Sequence, residues 1–186
     1  MLLNKYVKIY PQLINLNTTS TLIRYASQLN YEKAGIGTVN QINDKIRKVL
    51  RYGIDSQSKS LTDVHWANYL HSKIVNAMNY YINENCVKDI KIEYLNQLEI
   101  LKYFKNHHYQ FHVDASPAHN RTLSAILFLN NDYKGGRLIF KTLSDEEEIT
   151  IEPTPGSLII WPSNFLFPHM VKPVTEGIRY TIVAWA

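Results

Sequence analysis

Residues 109–116, YQFHVDAS, alternate aromatic or apolar residues with polar ones, which is the pattern of a β-strand with two different faces. Alternation predicts that His112 and Asp114 lie on one face and Tyr109 on the other. His112 and Asp114 would then point the same way, about 6–7 Å apart at their bases, so that both could reach one metal ion. A solvent-facing strand edge would show the same pair, and the rest of the chain must decide between the two interpretations.

The chain around this stretch changes character near residue 95. Before that point, the spacing of apolar residues predicts two helices, over about residues 18–30 and 61–85, with Thr or Ser placed to cap the first. After it, short runs rich in β-branched and aromatic residues, separated by turn residues, predict eight strands. These strands are expected at about 97–104, 107–114, 122–130, 136–142, 147–152, 157–162, 168–174 and 178–185.

Eight short strands favour a double-stranded β-helix, or jelly roll, in which two sheets face each other. The predicted fold class is therefore mainly β with supporting helices (α+β), with the N-terminal helices packed on one sheet. With 186 residues, the chain is most simply a single domain over residues 1–186. Residues 1–95 are expected to supply mostly helical support and a lid, and residues 96–186 the jelly-roll core. Residues 32–60 fit either a lid or a long connection.

Composition limits the class of protein and its setting. The net charge is +4, but Lys and Arg are scattered rather than clustered, which is weak ground for a nucleic-acid partner. Cys86 is the only cysteine, so no internal disulfide can form. No stretch approaches the roughly 20 apolar residues of a membrane span, and the N-terminus does not resemble a signal peptide. We therefore expect a soluble, cytoplasmic protein that does not enter a membrane.

A metal site with open positions would need a third protein ligand besides His112 and Asp114. Two histidines and one carboxylate on one face of an octahedron leave three positions open, an arrangement that suits non-haem iron(II). The candidates for the second histidine are His65, His71, His107, His108, His119 and His169. His169 is favoured because it opens a late predicted strand, and the strands between it and His112 could bring the two histidines together.

Arg179 lies in a predicted strand, IRYTIVAW, that is otherwise mostly apolar. A buried arginine is costly unless it meets an anion, and its planar fork matches a carboxylate. Thr181 would lie on the same face and could add a hydroxyl to that carboxylate. The alternative is an arginine on an edge strand that points to solvent. The ordered combination of His112, Asp114, His169 and Arg179 favours a metal and anion site over four separate structural roles.

Five segments after residue 95 carry a resemblance to a known family: LKYFKNHHYQFHVD, RTLSAILFLN, GGRLIF, PTPGSLIIWPS and HMVKPVTEGIRYTIVAW. In this order they resemble the iron(II)/2-oxoglutarate-dependent dioxygenases, and specifically the prolyl 4-hydroxylase branch. In that branch one tyrosine lies nine residues and another three residues before the iron-binding histidine, where this chain has Tyr103 and Tyr109. The chain departs from the pattern at Arg137, where the family often has an acidic residue.

The resemblance implies a role for each candidate residue. The implied iron(II) ligands, which are also the catalytic residues, are His112, Asp114 and His169. The implied contacts with the cosubstrate 2-oxoglutarate are Arg179, at its far carboxylate, Tyr103 and Thr181. The implied contacts with a peptide substrate are Tyr109, Arg121 and Trp185. These three residues have an alternative interpretation: the two aromatic side chains could simply pack in the fold, and the arginine could lie on the surface.

The activity implied by the resemblance is hydroxylation of a peptidyl-proline C–H bond. It would use iron(II), 2-oxoglutarate and O2, with ascorbate as a candidate further cofactor, and would release succinate and CO2. The implied partner is a proline-containing peptide or protein, and the sequence does not indicate an oligomeric state. Two alternatives stay open: the same cofactors acting on nucleic acid or a free amino acid, and a non-catalytic jelly-roll binding module. Nucleic acid is disfavoured because repair dioxygenases usually carry a second arginine where this chain has Trp185.

Overall fold

The computed structural model describes residues 3–37, 41–85, 89–117, 119–141 and 148–186. Within these ranges the helices are a 3-10 helix (Leu3–Tyr6), α1 (Leu16–Ser27) and α2 (Leu61–Glu84). The strands are β1 (Lys8–Tyr10), β2 (Glu32–Lys33), β3 (Arg47–Lys48), β4 (Leu50–Gly53), β5 (Gln97–Tyr103), β6 (His108–His112), β7 (Leu123–Phe128), β8 (Lys134–Gly135), β9 (Leu138–Lys141), β10 (Glu148–Ile151), β11 (Leu158–Pro162), β12 (His169–Val171), β13 (Val174–Glu176) and β14 (Arg179–Trp185). Cys86, the end of the predicted strand 136–142 and the start of 147–152 lie outside the described residues.

Both predicted helices are present, but α1 begins two residues earlier than expected and has a different cap. The side chain of Asn15 accepts a hydrogen bond from the backbone N–H of Thr18 at 2.8 Å. The hydroxyls of Thr19 and Ser20 instead donate back to the carbonyl of Leu16 inside the helix. Asn is as good an N-cap as Ser or Thr, and hydroxyl residues can bond within a helix, so the position of the cap was ambiguous in this polar run.

The strands form two antiparallel sheets and a short ribbon. The major sheet has the order β1-β11-β7-β14-β5-β4-β2, the minor sheet has the order β10-β9-β12-β6-β3, and β13 pairs with β8. Each of the eight predicted strand regions contains a strand. The strands β1 to β4 were not predicted, because they are only two to four residues long and lie in a region expected to be mostly helical. They extend the major sheet at both sides and add β3 to the minor sheet.

The two faces of the major sheet pack against different layers. On β14, Tyr180 and Ile182 belong to a core shared with α1 and α2. Val183 and Trp185 alternate with them and belong to a second core, which includes Phe140 of the minor sheet. Helices therefore cover one face of the major sheet and the minor sheet covers the other. The predicted fold class, mainly β with a jelly-roll core and helices packed on one sheet, is confirmed.

A buried carboxylate joins both helices to the major sheet. Asp63 of α2 accepts hydrogen bonds from the hydroxyls of Tyr25 of α1 at 2.5 Å, Tyr52 of β4 at 2.7 Å and Ser58 at 2.9 Å. Burial by itself raises the pKa of Asp63, but these hydroxyls hold it below its usual value. The carboxylate is therefore ionised at neutral pH and fixes the helical layer against the sheet.

Candidate metal centre

The two histidines of the predicted triad lie side by side in the minor sheet. His169 of β12 is directly opposite His112 of β6, and their ring centroids are 4.3 Å apart. Asp114 follows β6 and reaches both, with Oδ1 3.6 Å from Nε2 of His112 and Oδ2 3.5 Å from Nε2 of His169. In the described part of the chain, these three residues form the one group of three metal-ligand side chains with all donor atoms within 4.8 Å of one another.

Hydrogen bonds on the far side of each imidazole orient the donor nitrogens. Nδ1 of His112 lies 2.8 Å from the carbonyl of Gln110, and Nδ1 of His169 lies 3.0 Å from the carbonyl of Phe167. Only a protonated nitrogen can donate to a carbonyl, so we assign the proton to Nδ1 in both rings. The Nε2 lone pairs then point toward Asp114. This donor set, two histidines and one carboxylate, fits a non-haem iron(II) site.

The charge states of the triad suit metal binding. Burial by itself raises the pKa of Asp114. The two imidazoles and a hydrogen bond from Ser124 lower it more, so the pKa of this carboxyl is well below its usual value. Burial lowers the pKa of His169 to about 4. At neutral pH the carboxylate is ionised and His169 is neutral, which are the forms in which these side chains bind a metal.

Ser124 and Ser163 hold the carboxylate from behind and were not predicted from the sequence. Ser124 Oγ donates to Asp114 Oδ2 at 2.6 Å and lies 2.7 Å from Ser163 Oγ, and both serines are buried. The backbone of Ser163 also accepts a hydrogen bond from the N–H of Ala115. The available signal was that Ser124 is the lone hydroxyl among the apolar residues of β7.

The predicted orientation of Tyr109 is wrong. Strict alternation put it on the face opposite His112, yet its ring stacks on the His112 ring with centroids 3.5 Å apart and planes 15° apart. Between β12 and β6 the register shifts, since His169 pairs with His112 but Val171 pairs with Tyr109. An extra residue in one strand of an antiparallel pair reverses the alternation beyond it, which brings both side chains to one side. β6 also ends at His112 rather than at 114.

Arg179 is almost fully buried, with 1% of its surface exposed, so it is not an arginine that faces solvent. Its Nη1 donates to Thr181 Oγ1 at 3.2 Å, and its guanidinium carbon lies 4.8 Å from the ring centroid of Tyr103, its partner across β14 and β5. Nε and Nη2 are buried and have no hydrogen-bond partner among the described residues. A buried cation in this state is costly, and an anion would relieve that cost.

Tyr133 completes this polar group and was not predicted from the sequence. Its hydroxyl is buried without a hydrogen-bond partner among the described residues. The ring lies beside Arg179 at Gly136, which has φ +62°. A Cβ on that glycine would lie 3.1 Å from Arg179 Cδ and 3.2 Å from Tyr133 Cε2. The sequence predicted only a turn in NDYKGG, because nothing in that run shows which way the tyrosine points.

The predicted substrate contacts Arg121 and Trp185 lie together, with the guanidinium carbon of Arg121 4.0 Å from the indole ring. Arg121 also donates to the backbone carbonyl of Asp114 at 3.2 Å and to the side chain of Gln97. Arg121 therefore supports the metal-ligand loop in addition to lining the approach to it. The histidines that the structure keeps outside the cluster are His65, His71, His107, His108 and His119.

Two hollows with shared lining residues lie at the triad. A small inner cavity of about 30 Å³ is lined by the triad and by Tyr103, Tyr109 and Trp185. An outer groove of about 300 Å³ shares Arg47, Tyr109, Asp114 and Trp185 with it. Arg47 lies on β3, so the segment 32–60, for which a lid or a connection was expected, contributes strands and one wall of the groove. Among the described residues, no helix is both long and apolar enough to cross a membrane.

Sequence comparisons find similarity to known proteins in the second half of the chain. Residues 98–186 match the family model of the 2OG-Fe(II) oxygenase superfamily. A PKHD-type hydroxylase of Xylella fastidiosa is 40% identical over an alignment of 98 positions, which covers 45% of this chain and 41% of that protein. Human prolyl 3-hydroxylase 2 is 40% identical over an alignment of 67 positions, which covers 35% of this chain and 9% of that protein. The chain therefore spans less than half the length of either relative.

Solved structures agree in fold over nearly the whole chain. A prolyl-4-hydroxylase of Pseudomonas putida superposes with a TM-score of 0.72 at 21% identity. The superposition covers 97% of this chain and 91% of the Pseudomonas chain. A prolyl hydroxylase from Trichoplax adhaerens, in complex with a hypoxia inducible factor peptide fragment, has a TM-score of 0.77 at 20% identity, with 100% and 86% covered. Residues 98–186, which match the family model of the 2OG-Fe(II) oxygenase superfamily, are the part of the chain that carries the triad and Arg179.

Proposed function

We propose that this chain is an iron(II)- and 2-oxoglutarate-dependent dioxygenase that hydroxylates a prolyl residue of a peptide or protein and releases succinate and CO2. The observation that carries this proposal is the combination of the His112, Asp114 and His169 triad with the buried, unpaired guanidinium of Arg179. Tyr103 connects the two, because it lines the cavity at the triad and lies beneath that guanidinium. A structural metal site alone would have no use for the arginine.

The triad would hold iron(II), which when bound supplies the O2-dependent oxidation of an unactivated C–H bond. The other residues bind and orient. Nε and Nη2 of Arg179 and the hydroxyl of Tyr133 are the free donors that would receive the far carboxylate of 2-oxoglutarate. Thr181 accepts a hydrogen bond from Arg179 and so holds the guanidinium in place. Tyr103, which is buried, would form the wall of the cavity on the side of β5.

A prolyl substrate is supported by the names of two similar proteins, prolyl 3-hydroxylase 2 and a prolyl-4-hydroxylase. These names differ in the ring carbon that is oxidised, so the position of the new hydroxyl is a separate question for the product. The aromatic rings of Tyr109 and Trp185 line both hollows and would form apolar walls for a proline ring. A single domain over residues 1–186 and a reducing, cytoplasmic setting are further proposals that rest on the sequence.

The test combines cosubstrate turnover with product analysis. The protein is incubated with iron(II), ascorbate, O2 and 2-oxoglutarate and with a panel of proline-containing peptides, while succinate is measured. Peptide-stimulated succinate release and a peptide that has gained one oxygen atom are expected, and NMR then assigns C3 or C4. Both signals should be lost in His112→Ala and Asp114→Ala and kept in His65→Ala, a substitution of an exposed histidine on α2.

Three other outcomes would contradict the proposal in different ways. Stimulation by a methylated oligonucleotide or a free amino acid, but by no peptide, would keep the cofactors and change the substrate. Hydroxylation of a peptide residue other than proline would keep the substrate class and change the target. Failure of the protein to bind iron(II) or Mn(II) at the triad would leave the non-catalytic binding module as the function.

A further inference from the structure

Arg47 brings a positive charge to the approach to the triad. It lies opposite Tyr109 in the pairing of β3 with β6, and its guanidinium carbon is 4.7 Å from the centroid of the Tyr109 ring, which itself stacks on His112. Nη1 donates to the carbonyl of Gly35 at 2.8 Å, while Nε is buried without a hydrogen-bond partner. Within the described residues, no carboxylate lies at ion-pair distance from Arg47.

A second arginine of the groove is held in the same way. Arg121 stacks on Trp185, and the oxygens that it contacts, a backbone carbonyl and the amide of Gln97, are uncharged. Carboxylates of the described residues act on it only from beyond ion-pair distance. Arg51, the third arginine of the groove, differs because it pairs with Glu32 at 2.8 Å and with Glu99 at 3.0 Å. The groove therefore contains two oriented guanidinium groups that have no ion-pair partner among the residues that the structure describes.

The position of these groups fits a substrate contact. Arg47 lines both the inner cavity and the outer groove, and Arg121 lines the outer groove. A chain that reaches the triad through the groove would pass both. Each guanidinium has one face on an aromatic ring, which limits its orientations before a ligand arrives. A partly buried cation with uncharged partners is stabilised when a carboxylate binds, and the planar fork of arginine suits that group.

We propose that the groove recognises an acidic side chain, Asp or Glu, close in sequence to the substrate residue at the metal, through Arg47 and Arg121. This inference rests on the proposed function, since it assumes a peptide substrate. A peptide carboxylate is favoured over nucleic acid for two reasons. The groove has a volume of only about 300 Å³, and on one side Glu32 and Glu99 share the single cation Arg51, which leaves a net negative charge that would repel a continuous phosphate backbone.

The test compares peptides that differ by one charge. Fluorescently labelled proline peptides carry Asp or the isosteric Asn at each position flanking the proline, and their binding is measured by anisotropy. The protein is loaded with Mn(II) and 2-oxoglutarate without O2, so that no turnover occurs. At one or two positions we expect the Asp peptide to bind about tenfold more tightly, the scale of a charge-assisted hydrogen bond. Arg47→Gln should abolish this preference, so that the Asp and Asn peptides bind this variant with equal affinity.

Lys45→Gln is the matched control, because Lys45 is exposed on the same segment, outside the groove, and the charge change is identical. It should keep the preference. Because Arg47→Gln also removes the contact with Gly35, a second measurement uses the unchanged protein at rising NaCl concentration. The Asp preference should shrink as salt screens the ion pair. A preference that does not change with salt would overturn the inference.

Equal binding of Asp and Asn peptides at every position would also overturn it, as would an equal loss for both peptides in Arg47→Gln. Tighter, Arg47-dependent binding of an oligonucleotide would assign the groove to nucleic acid instead. These results are separable from the proposed function. Hydroxylation of proline peptides without an Asp preference would contradict this inference and leave the proposed function standing. An Arg47-dependent Asp preference in a protein that hydroxylates no proline peptide would contradict the proposed function and support this inference.

Discussion

The hydroxyl of Ser124 donates to Oδ2 of Asp114 at 2.6 Å, and it does so from a buried strand at the back of the triad. The carboxylate has two oxygens, and each faces one histidine, Oδ1 toward His112 and Oδ2 toward His169. A hydrogen bond to Oδ2 therefore fixes the rotation of the carboxylate about its Cβ–Cγ bond. Ser163, 2.7 Å from Ser124, supports this hydroxyl in turn.

We expect Ser124→Ala to lower the affinity for Mn(II) or iron(II) by about tenfold, the lower end of what loss of a partner behind a metal ligand costs. The fold should persist, because Ala fits within the space of Ser. Calorimetric titration of the metal-free protein with Mn(II) at constant pH measures the effect. Ser20→Ala is the control, since Ser20 is exposed on α1. An unchanged affinity would mean that the triad orients Asp114 by itself.

Tyr133→Phe removes a hydroxyl that is buried beside Arg179 without a partner. If this hydroxyl binds the far carboxylate of the cosubstrate, its loss should weaken 2-oxoglutarate binding by about tenfold, as expected for one hydrogen bond to a charged group. Binding is measured by calorimetry with the Mn(II)-loaded protein in the absence of O2. Tyr94→Phe, at an exposed tyrosine, should have no effect. Tighter or equal binding in Tyr133→Phe would place the carboxylate elsewhere.

Gly136→Ala tests whether the close approach of Tyr133 and Arg179 matters. Gly136 has φ +62°, and its added Cβ would lie 2.9 Å from Val174 Cγ2 as well as near both of those side chains. We expect a loss of unfolding free energy of about 1–3 kcal/mol from the strained backbone and weaker 2-oxoglutarate binding. Denaturant unfolding and calorimetry measure the two effects. Gly53→Ala, where a Cβ meets nothing within 4 Å, is the control and should change 2-oxoglutarate binding little.

Asp63→Asn should change how stability depends on pH. The pKa of Asp63 is lower in the folded protein than in the unfolded chain, so the unfolded chain binds more protons between the two values. Its contribution to stability is complete above the unfolded pKa and is lost as pH falls through the folded pKa. We expect Asp63→Asn to cost about 2 kcal/mol at pH 7, and the difference from the unchanged protein to shrink in acid. A difference independent of pH would contradict this account.

The triad could be predicted from the sequence because its signals are local or ordered. His112 and Asp114 stand in one strand, and His169 opens another strand that the fold places beside it. The stacking of Tyr109 on His112 could not be predicted, because it depends on a register shift between strands far apart in sequence.

Two further residues could not be placed from the sequence either: Arg47 in the groove and Tyr133 beside Arg179. Arg47 lies on a two-residue strand, too short to show an alternating pattern, and only its pairing with β6 brings it to Tyr109. The side chain of Tyr133 leaves a turn, where sequence does not fix direction. The orientation of a side chain on a short strand or in a loop thus cannot be predicted from local sequence, because it depends on contacts made by the rest of the fold.

The way in which β1 to β4 join the sheets has a consequence for dissecting this protein. β1 covers the outer side of β11, β4 covers β5, and β3 covers β6. A fragment limited to residues 98–186 would therefore expose three strand edges whose N–H and C=O groups are paired in the whole chain. Open edges of this kind invite intermolecular strand pairing. We therefore expect such a fragment to aggregate. In the whole chain, β1, β3 and β4 would prevent this self-association by pairing with the exposed edges of the sheets that hold the site.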